Sequence, residues 1–154
     1  VKKWFDIKAS EKNCRTFSVV LNDTKKAIGI ICIKDIRKIL KVATLGISFD
    51  SKHINKGYGT DAIKMLLKYY FKVMGMRTIY LDVAKHNIRA INCYKKCGFR
   101  KIKKYIMKEE DIKLEDIKIK NVESYFTFKN NILYLYCYRM KLTKTDYENY
   151  LYTK

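Results

Sequence analysis

The sequence predicts a mixed α/β domain, on three observations. Runs rich in β-branched and aromatic residues open and close the chain. Two segments with helical periodicity and cap residues lie between them. One short apolar run separates those two segments. The resulting order, strands, helix, strand, helix, strands, fits helices layered on a sheet.

The first strand is predicted at 15–21 (RTFSVVL), followed by turn chemistry in NDTKK. Residues 27–36 (AIGIICIKDI) are apolar at both parities, which predicts a central strand buried on both faces. In 42–50 (VATLGISFD), Ala43, Leu45, Ile47 and Phe49 fall on one face of a third strand. Residues 60–75 (TDAIKMLLKYYFKVMG) carry Ile63, Leu66, Leu67, Tyr70 and Phe71 at helical spacing. Asp61 sits in that helix's first turn, where the dipole favours it, and Gly75 ends it. A fourth strand follows at 77–83, then a short helix at 87–98 with Asn87 as N-cap and Gly98 just past its end. Three further strands are read at 99–107, 124–128 and 132–142, with Lys129-Asn130-Asn131 as a hairpin turn.

No repeat or linker interrupts the chain, so 1–154 is read as one domain, with 1–14 as the remnant of an N-terminal helix and 108–121 as a charged insertion. The chain starts at Val1 without a methionine, which predicts a fragment or a trimmed product. No run of apolar residues is long enough to span a bilayer, so no membrane partner is expected. Five cysteines lack zinc-knuckle spacing, which predicts reduced cytoplasmic thiols and no metal. The formal net charge of +19 reads first as compositional drift, because the lysines are spread along the chain and proline is absent.

The segment HINKGYGTDAI (53–63) places two glycines and Lys56 between a strand and a helix. Such a loop lets an anion approach the unpaired amides of a helix N-terminus. Alone it reads more often as a turn, and it meets neither the dinucleotide fingerprint nor the P-loop pattern. In NIRAINCYKKCGF (87–99), Asn87, Ala90, Tyr94 and Gly98 share one helix face, which also suits capping and packing.

Together, in this order and with a strand between them, the two segments resemble the GCN5-related N-acetyltransferases (GNAT) over about 27–106. Within that family the pattern looks nearest to the branch acting on N-terminal amines of ribosomal proteins. The resemblance implies a mostly antiparallel sheet flanked by helices, with its first strand and helices truncated here. It implies acetyl-CoA as cosubstrate and a primary amine as acceptor, by direct attack in a ternary complex. Main-chain groups of Ile47 and Phe49 would hold the pantetheine arm. Amides of Lys56, Gly57, Tyr58, Gly59 and Thr60 would cradle the pyrophosphate. Asn87 would bond the pantetheine or a water, Ala90 would permit close approach, and Lys96 or Lys95 would reach the adenosine phosphate. Tyr94 would protonate the departing thiolate, as a phenol can. Ile54 and Asn55 stand where the family usually has Gln or Arg and then glycine, so one side-chain contact is lost.

Asp50, His53, Asp82 and His86 lie near the motifs as candidate bases, none of them singled out. The acceptor stays open among small amines, aminoglycosides and protein N-termini, and the positive charge weighs mildly against a free polyamine. Five acids in EEDIKLED would offset it if they lined the mouth. A homodimer is allowed. Two other readings stand beside the enzyme: a GNAT-like domain that binds acyl-CoA without turnover, and a basic module for nucleic acid or the ribosome. The second is disfavoured, since FRKIKKYIMK alternates as an ordinary strand does.

Overall fold

The computed structural model describes residues 13–108, 124–130 and 132–152. The predicted helix remnant at 1–14, apart from its last two residues, and the charged insertion, apart from Lys108, lie outside the described residues.

Seven strands form one sheet: β1 (Arg15–Val20), β2 (Ala27–Arg37), β3 (Val42–Phe49), β4 (Thr78–Ala84), β5 (Arg100–Lys108), β6 (Phe126–Lys129) and β7 (Ile132–Thr143). The spatial order is β1-β2-β3-β4-β7-β5, with β6 paired to β7. Every pairing is antiparallel except β3 with β4. A parallel pair needs a crossover, and helix α1 (Tyr58–Lys68) supplies it. Helix α2 (Ile88–Lys96) connects β4 to β5, and α3 (Lys144–Tyr152) follows β7.

The main core lies between the helices and one sheet face. Ile63, Leu67, Tyr70 and Phe71 meet Ile33, Ile79, Leu81, Met140 and Leu142, all at most 1% exposed. Burying each such side chain contributes about 1.5–3 kcal/mol before the opposing entropy. The opposite parity of β2 buries Ile28, Ile30 and Cys32, and that of β7 buries Leu133, Leu135 and Cys137. This accounts for the uninterrupted apolar run read at 27–36.

Three features differ from the sequence expectation. The helix after the glycine loop begins at Tyr58 and passes into a π turn at Tyr69–Val73 before Gly75 closes it at φ 63°. The wider turn lets the adjacent Tyr70 and Phe71 both reach the core, with the Tyr70 hydroxyl donating to Thr78 O at 2.6 Å. Helix α3 was not anticipated. Its cap is legible afterwards: Thr143 Oγ1 accepts the amide of Asp146 at 3.1 Å. Third, β3 and β4 pair only at Val42–Thr78, Ala43–Ile79 and Thr44–Tyr80. Beyond Thr44, β3 stays with β2 out to Phe49 and β4 stays with β7 out to Ala84, so a wedge opens between them.

Candidate active site

The wedge, the loop after β3 and the first turns of α1 and α2 enclose a crevice of about 560 Å3. That volume lies within the usual range for small-molecule sites. Its geometry starts from β3. The Asp50 amide donates to Ile28 O at 2.9 Å. Alternation along the strand then turns the main-chain groups of Ser48 toward β2 and those of Ile47 and Phe49 toward the wedge. There β4 has moved away, so these donors and acceptors face the crevice. The Phe49 ring forms its floor: a Cβ at Gly29 would lie 2.7 Å from Phe49 Cδ1, and one at Gly59 would lie 3.6 Å from Cε2.

The turn into α1 is built on two left-handed residues, Asn55 at φ 61° and Gly57 at φ 85°. Asn55 occupies the position where the family usually has glycine, and asparagine tolerates this conformation better than other side chains. Among the described residues, nothing lies within 4 Å of where a Gly57 Cβ would stand. Gly59, by contrast, is inside the first helical turn. Thr60 and Asp61 both donate their amides to Gly57 O, at 2.9 and 3.2 Å. The amides of Tyr58 and Gly59 come too early in the helix to have a partner within it, and Gly59 lines the crevice. The Thr60 amide, expected in the cradle, is engaged instead, and its hydroxyl lies 3.3 Å from Cys93 Sγ.

Helix α2 brings the second motif to the same crevice. Asn87 caps it, its side-chain oxygen accepting the Ala90 amide at 3.1 Å. The cap occupies Oδ1, so Asn87 can offer a ligand its side-chain NH2. Ala90, Tyr94 and Lys96 also line the crevice, whereas Tyr58 and Lys95 do not. Tyr94 is 8% exposed and packs edge-on against Phe99 at 6.1 Å. Burial pushes its phenol up to about 12.

Of the four candidate bases, His53 lines the crevice, with Nδ1 3.2 Å from Asp50 Oδ2. Asp50 is held below the usual carboxylate range, first by the Lys52 amide. Asp82 hydrogen bonds Tyr105, and His86 stacks on Phe126 at 6.0 Å, neither of them among the lining residues. The sequence reading passed over Arg89, Asn92 and Cys93, which also line the crevice. Arg89 and Lys96 sit about two helical turns apart and add positive charge to the crevice. Their signal is the polar face of the Asn87 helix outside the motif positions.

The basic strand offered as a nucleic-acid motif is internally occupied. Lys101 Nζ lies 3.7 Å above the Tyr138 ring and Lys104 Nζ 4.4 Å above Tyr136. Among the described residues no group of three or more His, Cys, Asp or Glu is placed to hold a metal ion, and no helix is long and apolar enough to cross a membrane.

Residues 1–100 match the family model of the acetyltransferase (GNAT) domain. The spermidine N(1)-acetyltransferase of Vibrio cholerae serotype O1 is 33% identical over 81 residues, covering 53% of this chain and 47% of that protein. The Escherichia coli K12 spermidine N(1)-acetyltransferase is 35% identical over 81 residues, covering 53% and 43%. The chain thus spans about half the length of these curated relatives. The crystal structure of spermidine N-acetyltransferase from Vibrio cholerae in complex with CoA and spermine superposes with a TM-score of 0.69 at 25% identity, over 96% of this chain and 76% of that one.

Proposed function

Because the chain belongs to the GNAT acetyltransferase family, we propose that it transfers an acetyl group from acetyl-CoA to a primary amine. The observation that carries this reading is the wedge between β3 and β4, opening beside the N-terminus of α1. A strand with unpaired main-chain groups suits the amide-bearing pantetheine arm, and the first helical amides suit its diphosphate. The fit is supported by the open space at Gly57 and by Lys56, Arg89 and Lys96 around the crevice.

In this reading, Ile47 and Phe49 hold the arm through their main chain. The amides from Lys56 to Gly59 bind the diphosphate, and Lys96 reaches the remaining phosphate. Asn87 donates from its NH2 group, and Ala90 leaves room for the arm. The cosubstrate supplies an activated acetyl thioester. Tyr94 holds a proton near the sulfur and stays protonated at neutral pH, which suits a donor to a developing thiolate. A strand amide near Ile47 provides a preplaced donor for the carbonyl oxygen. The acceptor must arrive as the neutral amine; His53, hydrogen-bonded to Asp50 at 3.2 Å, lines the crevice as the candidate to take its proton.

Spermidine is the first acceptor to test, since relatives of this chain carry its name. The net charge of +19 slows the approach of a polycation, so weakly charged monoamines and peptide N-termini belong in the same screen. The absence of a disulfide among the described cysteines suits a reducing, cytoplasmic setting. The test is release of free thiol from acetyl-CoA on adding each amine. Turnover with at least one amine is expected. Saturable coenzyme A binding with no thiol release for any of them would leave a binding domain instead.

A further inference from the structure

Behind the proposed phosphate seat lies a pair of thiols that acetyl transfer does not use. Cys93 lies on α2 and Cys97 one turn on, at its C-cap, and both meet the first turn of α1. Cys93 is half-buried and lines the crevice, whereas Cys97 is 1% exposed. Cys93 Sγ lies 3.3 Å from Thr60 Oγ1, and Cys97 Sγ lies 3.8 Å from Thr60 O. A Cβ on Gly59 would come 3.7 Å from Cys93 Sγ, so this sulfur stands directly behind the amides that face the ligand.

We propose that Cys93 is a thiol-modification site that exchanges with anionic low-molecular-weight disulfides, and that the resulting adduct excludes coenzyme A from the crevice. The second half rests on the acetyl-CoA reading; the first does not. In the exchange, the Cys93 thiolate attacks one sulfur of RS–SR. The new S–S bond forms as the old one breaks, and RS⁻ leaves with the electron pair. The Cys93 proton goes to solvent, and no further oxidant is required. Cys97 is buried and keeps its proton, its thiol donating to Thr60 O. Lys56, Arg89 and Lys96 line the same crevice and favour an anionic reagent. With Gly59, Thr60 and Cys97 packed around the sulfur, an added RS group extends into the crevice, where the diphosphate would sit.

The polar contacts also set the reactivity. The neighbouring Cys97 thiol first, then the Thr60 hydroxyl and the charges of Lys96 and Arg89, outweigh burial and lower the Cys93 thiol below its ordinary range. A lowered thiol holds more thiolate at neutral pH, at some cost in nucleophilicity.

The test treats the full chain with the anionic disulfide dithionitrobenzoate and follows thiol release in wild type, Cys93→Ser and Cys14→Ser. Cys14 is the other cysteine that is not buried. The fast phase is expected to persist in Cys14→Ser, to vanish in Cys93→Ser, and to slow with added salt. Labelled Cys14→Ser is expected to lose the rise in melting temperature that coenzyme A gives the unlabelled form. Cys93 reacting no faster than Cys14, or a labelled protein that keeps its coenzyme A shift, overturns the proposal. If coenzyme A does not shift even unlabelled protein, the acetyl-CoA reading fails, and the labelling rates alone decide whether Cys93 is a modification site.

Discussion

The Asn87 side-chain oxygen accepts the Ala90 amide at 3.1 Å, so one residue both starts α2 and lines the crevice. The two roles use different atoms and can be separated. Asn87→Ala removes both and is expected to cost about 1 kcal/mol of stability, the usual loss of an N-cap. Asn87→Asp keeps an acceptor at the cap and loses the NH2 donor. It should melt within about 1 °C of wild type, yet show weaker acetyl-CoA binding. Thermal melts with and without cofactor read both quantities. If Asp at this position binds cofactor as well as Asn, the donor role is lost and only the cap remains.

The two glycines of the loop make unequal demands. Gly57 sits at φ 85° with open space around its missing Cβ, so Gly57→Ala meets no clash but carries backbone strain of about 1–2 kcal/mol. Relief of that strain would rotate the amides that follow, and the cofactor-induced melting shift should shrink. Gly59 is helical, and a Cβ there makes ordinary contacts with Phe49 and Cys93 at 3.6 and 3.7 Å. Gly59→Ala should leave the cofactor shift intact and raise stability by up to about 1 kcal/mol through helix propensity. Loss of the shift in Gly59→Ala and its retention in Gly57→Ala would reverse this assignment.

The C-terminal helix ties the site to acid stability. Asp146 accepts from Thr143 Oγ1 at 2.6 Å and from Arg100 Nη2 at 2.7 Å. Its carboxyl is held below the ordinary range, by the Thr143 hydroxyl first and by Arg100 after it. A carboxyl lowered on folding stabilises the protein above its unfolded value and loses that contribution as pH falls through the folded one. The melting temperature of wild type should therefore drop below about pH 4, and Asp146→Asn should flatten that part of the curve. The effect reaches α2, because Tyr150 of α3 donates to Lys96 O at 2.6 Å. Parallel acid curves for the two proteins would remove Asp146 from this role.

What the sequence made legible is local. Asn87 and Gly98 were readable as the ends of α2 because capping and left-handed glycines are chemistry of single residues; Gly98 indeed sits at φ 91°. The strands were readable from parity, and both motifs from spacing. The π turn was not, since one extra residue within five leaves no periodic trace. Helix α3 has one buried residue, Tyr147, so it lacks the apolar stripe on which periodicity depends, although its Thr143-x-x-Asp146 start was present. The wedge was hidden because it is a property of two strands that the sequence separates by a helix. Cys93 was hidden for the same reason: its meaning comes from Thr60, 33 residues earlier.

Tyr94 offers the sharpest test of mechanism. Its ring is buried against Phe99, so Tyr94→Phe keeps the packing and should change stability by less than about 1.5 kcal/mol. Only the hydroxyl is removed. If that hydroxyl protonates the leaving thiolate, its contribution belongs to the transition state, and turnover should fall by about a hundredfold or more while the cofactor KM changes little. The pH dependence gives a second reading. Burial holds the phenol near 12, so Tyr94 remains a proton donor across the assay range, and wild-type turnover should show no alkaline decline from this group before that point. Over the same range, activity at low amine concentration should rise, because the neutral fraction of an alkylamine grows up to about pH 10. A Tyr94→Phe enzyme with wild-type turnover, or a wild type whose turnover collapses between neutrality and pH 10, would mean that the proton reaches the sulfur by another route.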